Sequence, residues 1–102
     1  MIKDTSDSTL ADDIGTEGIV LVWFTAEWCA PCKMLKPVLE GLENHMYINI
    51  LKLDIDKNPV ATEQYDVQSV PSLVLFQDGA KVRQDTGAFP TAILVERYSP
   101  YL

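Results

Sequence analysis

Six consecutive apolar residues, Ile19-Val20-Leu21-Val22-Trp23-Phe24, run into a stretch whose apolar residues repeat at helical spacing, and that junction restricts the folds open to the chain. An unbroken run of strand formers has no polar face to turn toward water, so it suits a strand buried on both sides of a sheet. Beyond it, Met34, Leu35, Val38, Leu39 and Leu42 define one apolar face of a helix. A doubly covered strand followed by an amphipathic helix is a building unit of α/β domains, in which one sheet carries helices on both faces.

Both cysteines of the chain sit at this junction, within Trp28-Cys29-Ala30-Pro31-Cys32-Lys33. Pro31 fits the first turn of the helix, where its missing N–H costs nothing and its fixed φ is already helical. Cys29 then lies at the helix entrance and Cys32 one turn further in. Residues three apart on a helix fall within the roughly 4.4–6.8 Å Cα separation that a disulfide requires, so the pair can close without moving the backbone. Unpaired N–H groups and the positive end of the helix dipole favour a thiolate on Cys29, and Lys33 and Lys36 add a modest screened attraction. Lowering a thiol from about 8.5 toward neutrality corresponds to roughly 2 kcal/mol and raises the thiolate fraction at neutral pH to about half. Cys29 is therefore expected to be the exposed nucleophile, and Cys32, shielded by the sheet, the resolving thiol. Tetrahedral zinc needs about four ligands, and the chain offers one histidine and no second cysteine pair. That histidine, His45, is expected to be a solvated helix-end residue.

The remaining sequence reads as one domain, residues 1–102, with 47% hydrophobic content, enough for a core without disulfide staples. Ser6, Asp7 and Ser8 offer caps for a short helix over 9–14, with a strand before it. Residues 46–55 predict a strand, 59–66 a short helix begun by Pro59, and 73–76 another apolar strand. Asp78-Gly79 predicts a hairpin turn into a strand over 82–86, making the sheet mixed. Residues 90–98 read as the last helix, ended by Pro100. Pro37 falls inside the long helix as packing geometry. The formal net charge is -7, from 8 basic and 15 acidic residues, with no basic stripe, which argues against nucleic acid as a direct ligand. The first residues lack the apolar core of a signal peptide and no run approaches membrane-spanning length, so the expected location is cytoplasmic. In a reducing compartment two cysteines are expected to cycle and not to form a permanent staple.

Ala26-Glu27-Trp28-Cys29-Ala30-Pro31-Cys32-Lys33-Met34 closely resembles the active site of the thioredoxin family. Lys52-Leu53-Asp54-Ile55-Asp56 with Asn58-Pro59 is similar to that family's third strand and its exit, and Val70-Pro71-Ser72-Leu73 to its cis-proline loop. Asp78-Gly79 is similar to its hairpin turn, and Gly87-Ala88-Phe89 to the start of its last helix. The resemblance implies a thioredoxin-like fold, with a central mixed β-sheet flanked by helices on both faces. It also implies a cis Val70-Pro71 bond in a loop facing the cysteines. Trp28, Ala30, Pro31, Val70, Pro71 and Gly87 would contact substrate. The implied activity is a protein-disulfide reductase that works as a monomer through the redox-active Cys29-Cys32 disulfide, with no metal or bound organic cofactor. Its substrates would be disulfide-containing proteins. Reducing equivalents would come from a thioredoxin reductase, in this family usually a flavin-containing, NADPH-dependent enzyme. The alternative is an accessory subunit, such as a polymerase processivity factor, whose redox activity is secondary.

Two departures stand out. Ala30 replaces the glycine usual between the first cysteine and the proline, and residues between the thiols tune redox poise. Neither intervening residue is histidine, unlike the more oxidising relatives, which favours a reductant. Trp23 stands where the family typically buries an aspartate behind the second cysteine, thought to accept the resolving thiol's proton. Lys52 matches the lysine beside that acid and is left without its partner. Trp23, Lys33 and Lys52 are therefore expected to tune the site's electrostatics.

Overall fold

The computed structural model describes residues 1–102. Strand β2 (Ile19–Thr25) lies at the centre of a five-stranded sheet in the order β1-β3-β2-β4-β5. It pairs in parallel with β3 (Asn49–Asp54) and antiparallel with β4 (Ser72–Gln77), so both of its backbone edges are satisfied. On the outer edges β1 (Ile2–Asp4) runs parallel to β3, and β5 (Ala80–Thr86) runs antiparallel to β4. Asp78 and Gly79 turn that hairpin with φ of 51° and 88°, the left-handed geometry a two-residue turn demands.

Alternation along β2 explains why its sequence has no polar face. Leu21 and Trp23 point to one side, packing with Leu35, Leu39 and Leu42 of α2 (Ala30–His45) and with Leu94 and Tyr98 of α4 (Thr91–Tyr98). Val20, Val22 and Phe24 point to the other side, packing with Leu10 and Ile14 of α1 (Leu10–Ile14) and Ala61 of α3 (Pro59–Gln64). Each strand residue therefore enters one of two apolar layers. The sheet is mixed with helices on both faces, as expected.

Several local expectations shift. Met34 was expected on the apolar face of α2, but it is 72% exposed. The buried stripe of α2 runs through Cys32, Leu35, Leu39 and Leu42, and Met34 sits one residue, about 100°, around the helix from Leu35. The strand expected over 46–55 begins only at Asn49, although Met46 and Ile48 are buried in the core before it. Ser6, Asp7 and Ser8 do not cap the first helix, whose N-cap is Thr9 without a side-chain bond. Instead, Asp7 crosses to α3, where its carboxylate accepts the N–H groups of Ala61 at 2.7 Å and Val60 at 3.1 Å. The long helix continues through Pro37, and after Tyr98 the chain makes a 3₁₀ turn, Ser99–Tyr101, containing Pro100. No helix is long and apolar enough to cross a membrane.

Candidate active site

The chain leaves β2, bends through Ala26-Glu27-Trp28, and starts α2 with Cys29 as its N-cap in extended conformation. Cys29 Sγ accepts the N–H of Cys32 at 3.2 Å, so a sulfur satisfies one of the unpaired donors at the helix start. Pro31 occupies the first turn, as its missing N–H allows. The two cysteines are joined as a disulfide with Cα atoms 5.3 Å apart. Cys29 was expected to be exposed; it retains only 5% of its surface, against 0% for Cys32. The order of access is as the helix position dictates, but the opening is narrow because a loop faces it.

That loop is Val70-Pro71, joined by a cis peptide bond. Its Val70 carbonyl oxygen lies 3.7 Å from Cys29 Sγ. Gly87 holds the loop by donating its N–H to Pro71 O at 2.8 Å, with φ at +116°, a region only glycine enters without strain. Trp28, Ala30 and Pro31 stay exposed around the opening. The Trp28 ring is 67% exposed yet fixed, since its indole N–H donates to Asp56 Oδ2 at 2.8 Å. His45 lies far down α2, exposed, its Nδ1 against Gly41 O at 2.8 Å.

Behind the disulfide lies Trp23, at the central-strand position where the sequence departs from the family pattern. It is 2% exposed, pairs in register with Lys52, and carries the Lys52 ammonium 5.7 Å from its ring centroid. Lys52 has thus exchanged a carboxylate partner for an aromatic face, an attraction worth about 0.5–1 kcal/mol at an exposed site. The Trp23 indole N–H is buried and has no hydrogen-bond partner within the protein. A cleft of about 940 Å³ opens here, with Trp23, Cys32, Lys33, Lys36, Lys52 and Asp54 among the residues of its wall. No basic stripe is visible in the sequence, yet Lys33, Lys36, Lys52 and Lys57 all line this cleft.

Two residues of the third-strand motif belong to the site, a role that the motif alone does not indicate. Asp56 anchors Trp28, and Asp54 shares the cleft with Cys32. The available signal is the alternation of β3, which places Asp54 on the same face as Lys52.

A disulfide at a helix N-terminus, opposed by a cis-proline loop at the end of a mixed sheet, defines a small α/β protein for thiol–disulfide exchange. Comparison with known proteins agrees. The family model described as Thioredoxin matches residues 1–99. The chain is 47% identical over 102 residues to a thioredoxin of Chlamydia muridarum, covering 99% of each chain. It is 42% identical over 103 residues to a thioredoxin of Staphylococcus saprophyticus, covering 99% of this chain and 98% of the relative. A solved mutant thioredoxin from Halobacterium salinarum superposes with a TM-score of 0.91 at 34% identity, over 98% of this chain and 89% of that one. The chain belongs to the thioredoxin family and is a thiol-disulfide oxidoreductase. Its chemistry runs on the cysteine pair and needs no bound cofactor, and the family implies protein-disulfide substrates and a reductase that recharges the pair.

Proposed function

We propose that the chain is a general dithiol reductase of protein disulfides, with Cys29 as nucleophile and Cys32 as resolving thiol. The unequal placement of the two sulfurs carries this reading: Cys29 caps the helix at the opening beneath Val70, whereas Cys32 is fully enclosed on the first turn. The helix N-terminus and the nearby Lys33 ammonium favour a thiolate on Cys29 in the reduced protein. That thiolate attacks one sulfur of a substrate disulfide, forming a mixed disulfide and releasing the other sulfur as a thiolate. The Cys32 thiolate then attacks Cys29 Sγ, closes the internal disulfide and releases the second substrate sulfur. The substrate gains two electrons and the protein loses them.

A substrate segment in extended conformation would pair with the backbone of Val70 and Pro71 while resting on Trp28, Ala30, Pro31 and Gly87. Trp28 suits that task because its indole is exposed and already fixed by Asp56, so little side-chain entropy is lost on docking. The oxidised form would be recharged by a flavin-containing, NADPH-dependent thioredoxin reductase, with the protein acting as a cytoplasmic monomer of one domain.

Replacing Cys29 with Ser should abolish disulfide reduction, whereas Cys32→Ser should attack and then accumulate a mixed disulfide, read by mass spectrometry after incubation with substrate. Equal trapping by both variants, or by neither, would refute the assignment. Catalysis of insulin reduction by dithiothreitol separates a reductase from an accessory subunit, and turnover with NADPH and a panel of thioredoxin reductases identifies the recharging partner.

A further inference from the structure

The resolving step needs a thiolate on Cys32, which is fully buried beside Trp23, a residue that can accept no proton. A polar route reaches this sulfur through the cleft of about 940 Å³ that Cys32 itself lines. At roughly 30 Å³ per water, that space holds many waters. Three carboxylates line it: Asp4 on β1, Glu27 in the loop before α2, and Asp54 at the end of β3.

They are not equivalent. Glu27 is 84% exposed and pairs with Lys57 at 3.9 Å. Asp4 is exposed and lies in register with Lys52 on the side away from Trp23, so the lysine stands between them. Asp54 alone is half-buried. Alternation puts it on the α2 side of the sheet with Lys52, and its register partner is Thr25, two residues beyond Trp23 toward the disulfide. Its carboxylate is positioned by one oxygen only: Oδ1 accepts the N–H of Asp56 at 2.9 Å, while Oδ2 receives no hydrogen bond from the protein. The other charged residues of the cleft wall are Lys33 and Lys36 from α2, Lys52 from β3 and Lys57 from the following loop. With four ammonium groups against three carboxylates, the cleft wall carries one net positive charge.

We infer that Asp54, acting through water in the cleft, accepts the proton of the Cys32 thiol during the resolving step, replacing the acid that Trp23 displaces. The inference rests on the reductase reading above. The proton passes from Cys32 Sγ through water to Asp54 Oδ2, and the thiolate attacks Cys29 Sγ. The substrate sulfur leaves with the bonding electron pair and is protonated from solvent.

The test uses the reduced full-length protein and an aromatic disulfide that releases one coloured thiolate at attack and another at resolution, followed by stopped-flow absorbance. Asp54→Asn keeps the acceptor for Asp56 N–H and should leave the first phase unchanged. It should slow the second by roughly 10- to 100-fold near pH 7, with a steeper dependence on pH between about 6 and 9. Asp4→Asn and Glu27→Gln should leave both phases unchanged. Adding Trp23→Asp to Asp54→Asn should recover the second phase, a rescue that a purely structural role for Asp54 would not show. An unaltered second phase in Asp54→Asn, an equal slowing by Glu27→Gln, or a double variant with a normal first phase and no recovery would overturn the inference alone. Absence of the first phase in the unmodified protein would overturn the reductase reading itself.

Discussion

Replacing Trp23 with Asp restores the acid usual in the family and tests what the indole contributes in its place. The ring is 2% exposed, and a buried tryptophan removes about 200 Å² from water, worth about 5 kcal/mol at 25 cal/mol per Å². Two effects return part of that loss. The buried indole N–H, which has no partner within the protein, disappears, recovering up to about 1–3 kcal/mol. The new carboxylate faces a cleft open to water and the exposed Lys52 ammonium, whose screened attraction contributes at most about 1 kcal/mol. The variant should therefore be about 3 kcal/mol less stable at neutral pH, a large share of a typical 5–15 kcal/mol. For a domain of this size that is a fall in Tm of roughly 12–24 °C. The deficit should also depend on pH. Burial raises the folded-state pKa of the new Asp above its unfolded value near 3.9, so the folded form binds more protons, and the penalty grows as pH rises from about 4 and shrinks toward acid. Trp23→Phe keeps a benzene ring and gives up part of the burial together with the N–H unpaired within the protein, two effects of opposite sign, so it should lie within about 1 kcal/mol of the parent. The Cys32-dependent step should accelerate in Trp23→Asp by up to roughly 100-fold and stay unchanged in Trp23→Phe. Thermal and chemical unfolding with single-turnover reduction across about pH 6 to 9 reads all three quantities. A Trp23→Asp variant as stable as the parent, or one whose resolving step is no faster, would refute the argument that burial here has been gained at the expense of proton transfer.

Two predictions concern the scaffold. Asp7→Ala leaves the N–H groups of Val60 and Ala61 without acceptors and should cost about 1–2 kcal/mol in chemical unfolding, with the resolving and attacking steps unaffected. Lys3 and Thr5 each bond the Asp13 carboxylate at 2.8 Å and hold its pKa below the ordinary carboxylate range. A depressed folded-state value means that this stabilisation is present above the unfolded pKa near 3.9 and is lost as pH falls through the folded one. Because Lys3 is largely exposed, Asp13→Asn should cost only up to about 1 kcal/mol at pH 7, and the gap should close in unfolding curves at low pH.

Local chemistry made much of this protein legible before any tertiary contact was considered. The apolar run over 19–24 has no polar side to expose, the Asp78-Gly79 pair favours left-handed φ, and Pro31 one residue before Cys32 fits the first turn of a helix at no cost in hydrogen bonds. Those three facts place β2, the β4–β5 hairpin and the cysteine pair, because each is decided by a residue's own backbone and solvent preferences. Pairings between distant segments are not of that kind. Asp7 could equally cap the helix beside it, and it bonds α3 because folding brings that helix start to it. Met34 has the same hydrophobicity whether buried or exposed, and only the direction of the sheet beneath α2 leaves it in water. Lys33, Lys36, Lys52 and Lys57 come from two separate segments and form no stripe in sequence. They line one cleft with Asp54 because the β2–β3 register sets Lys52 beside Trp23 and Asp54 beside Thr25. A register shift of one residue in β3 would turn Lys52 and Asp54 to the opposite face and away from the α2 lysines, so the surroundings of Cys32 are decided by strand pairing across the sheet and by no local preference.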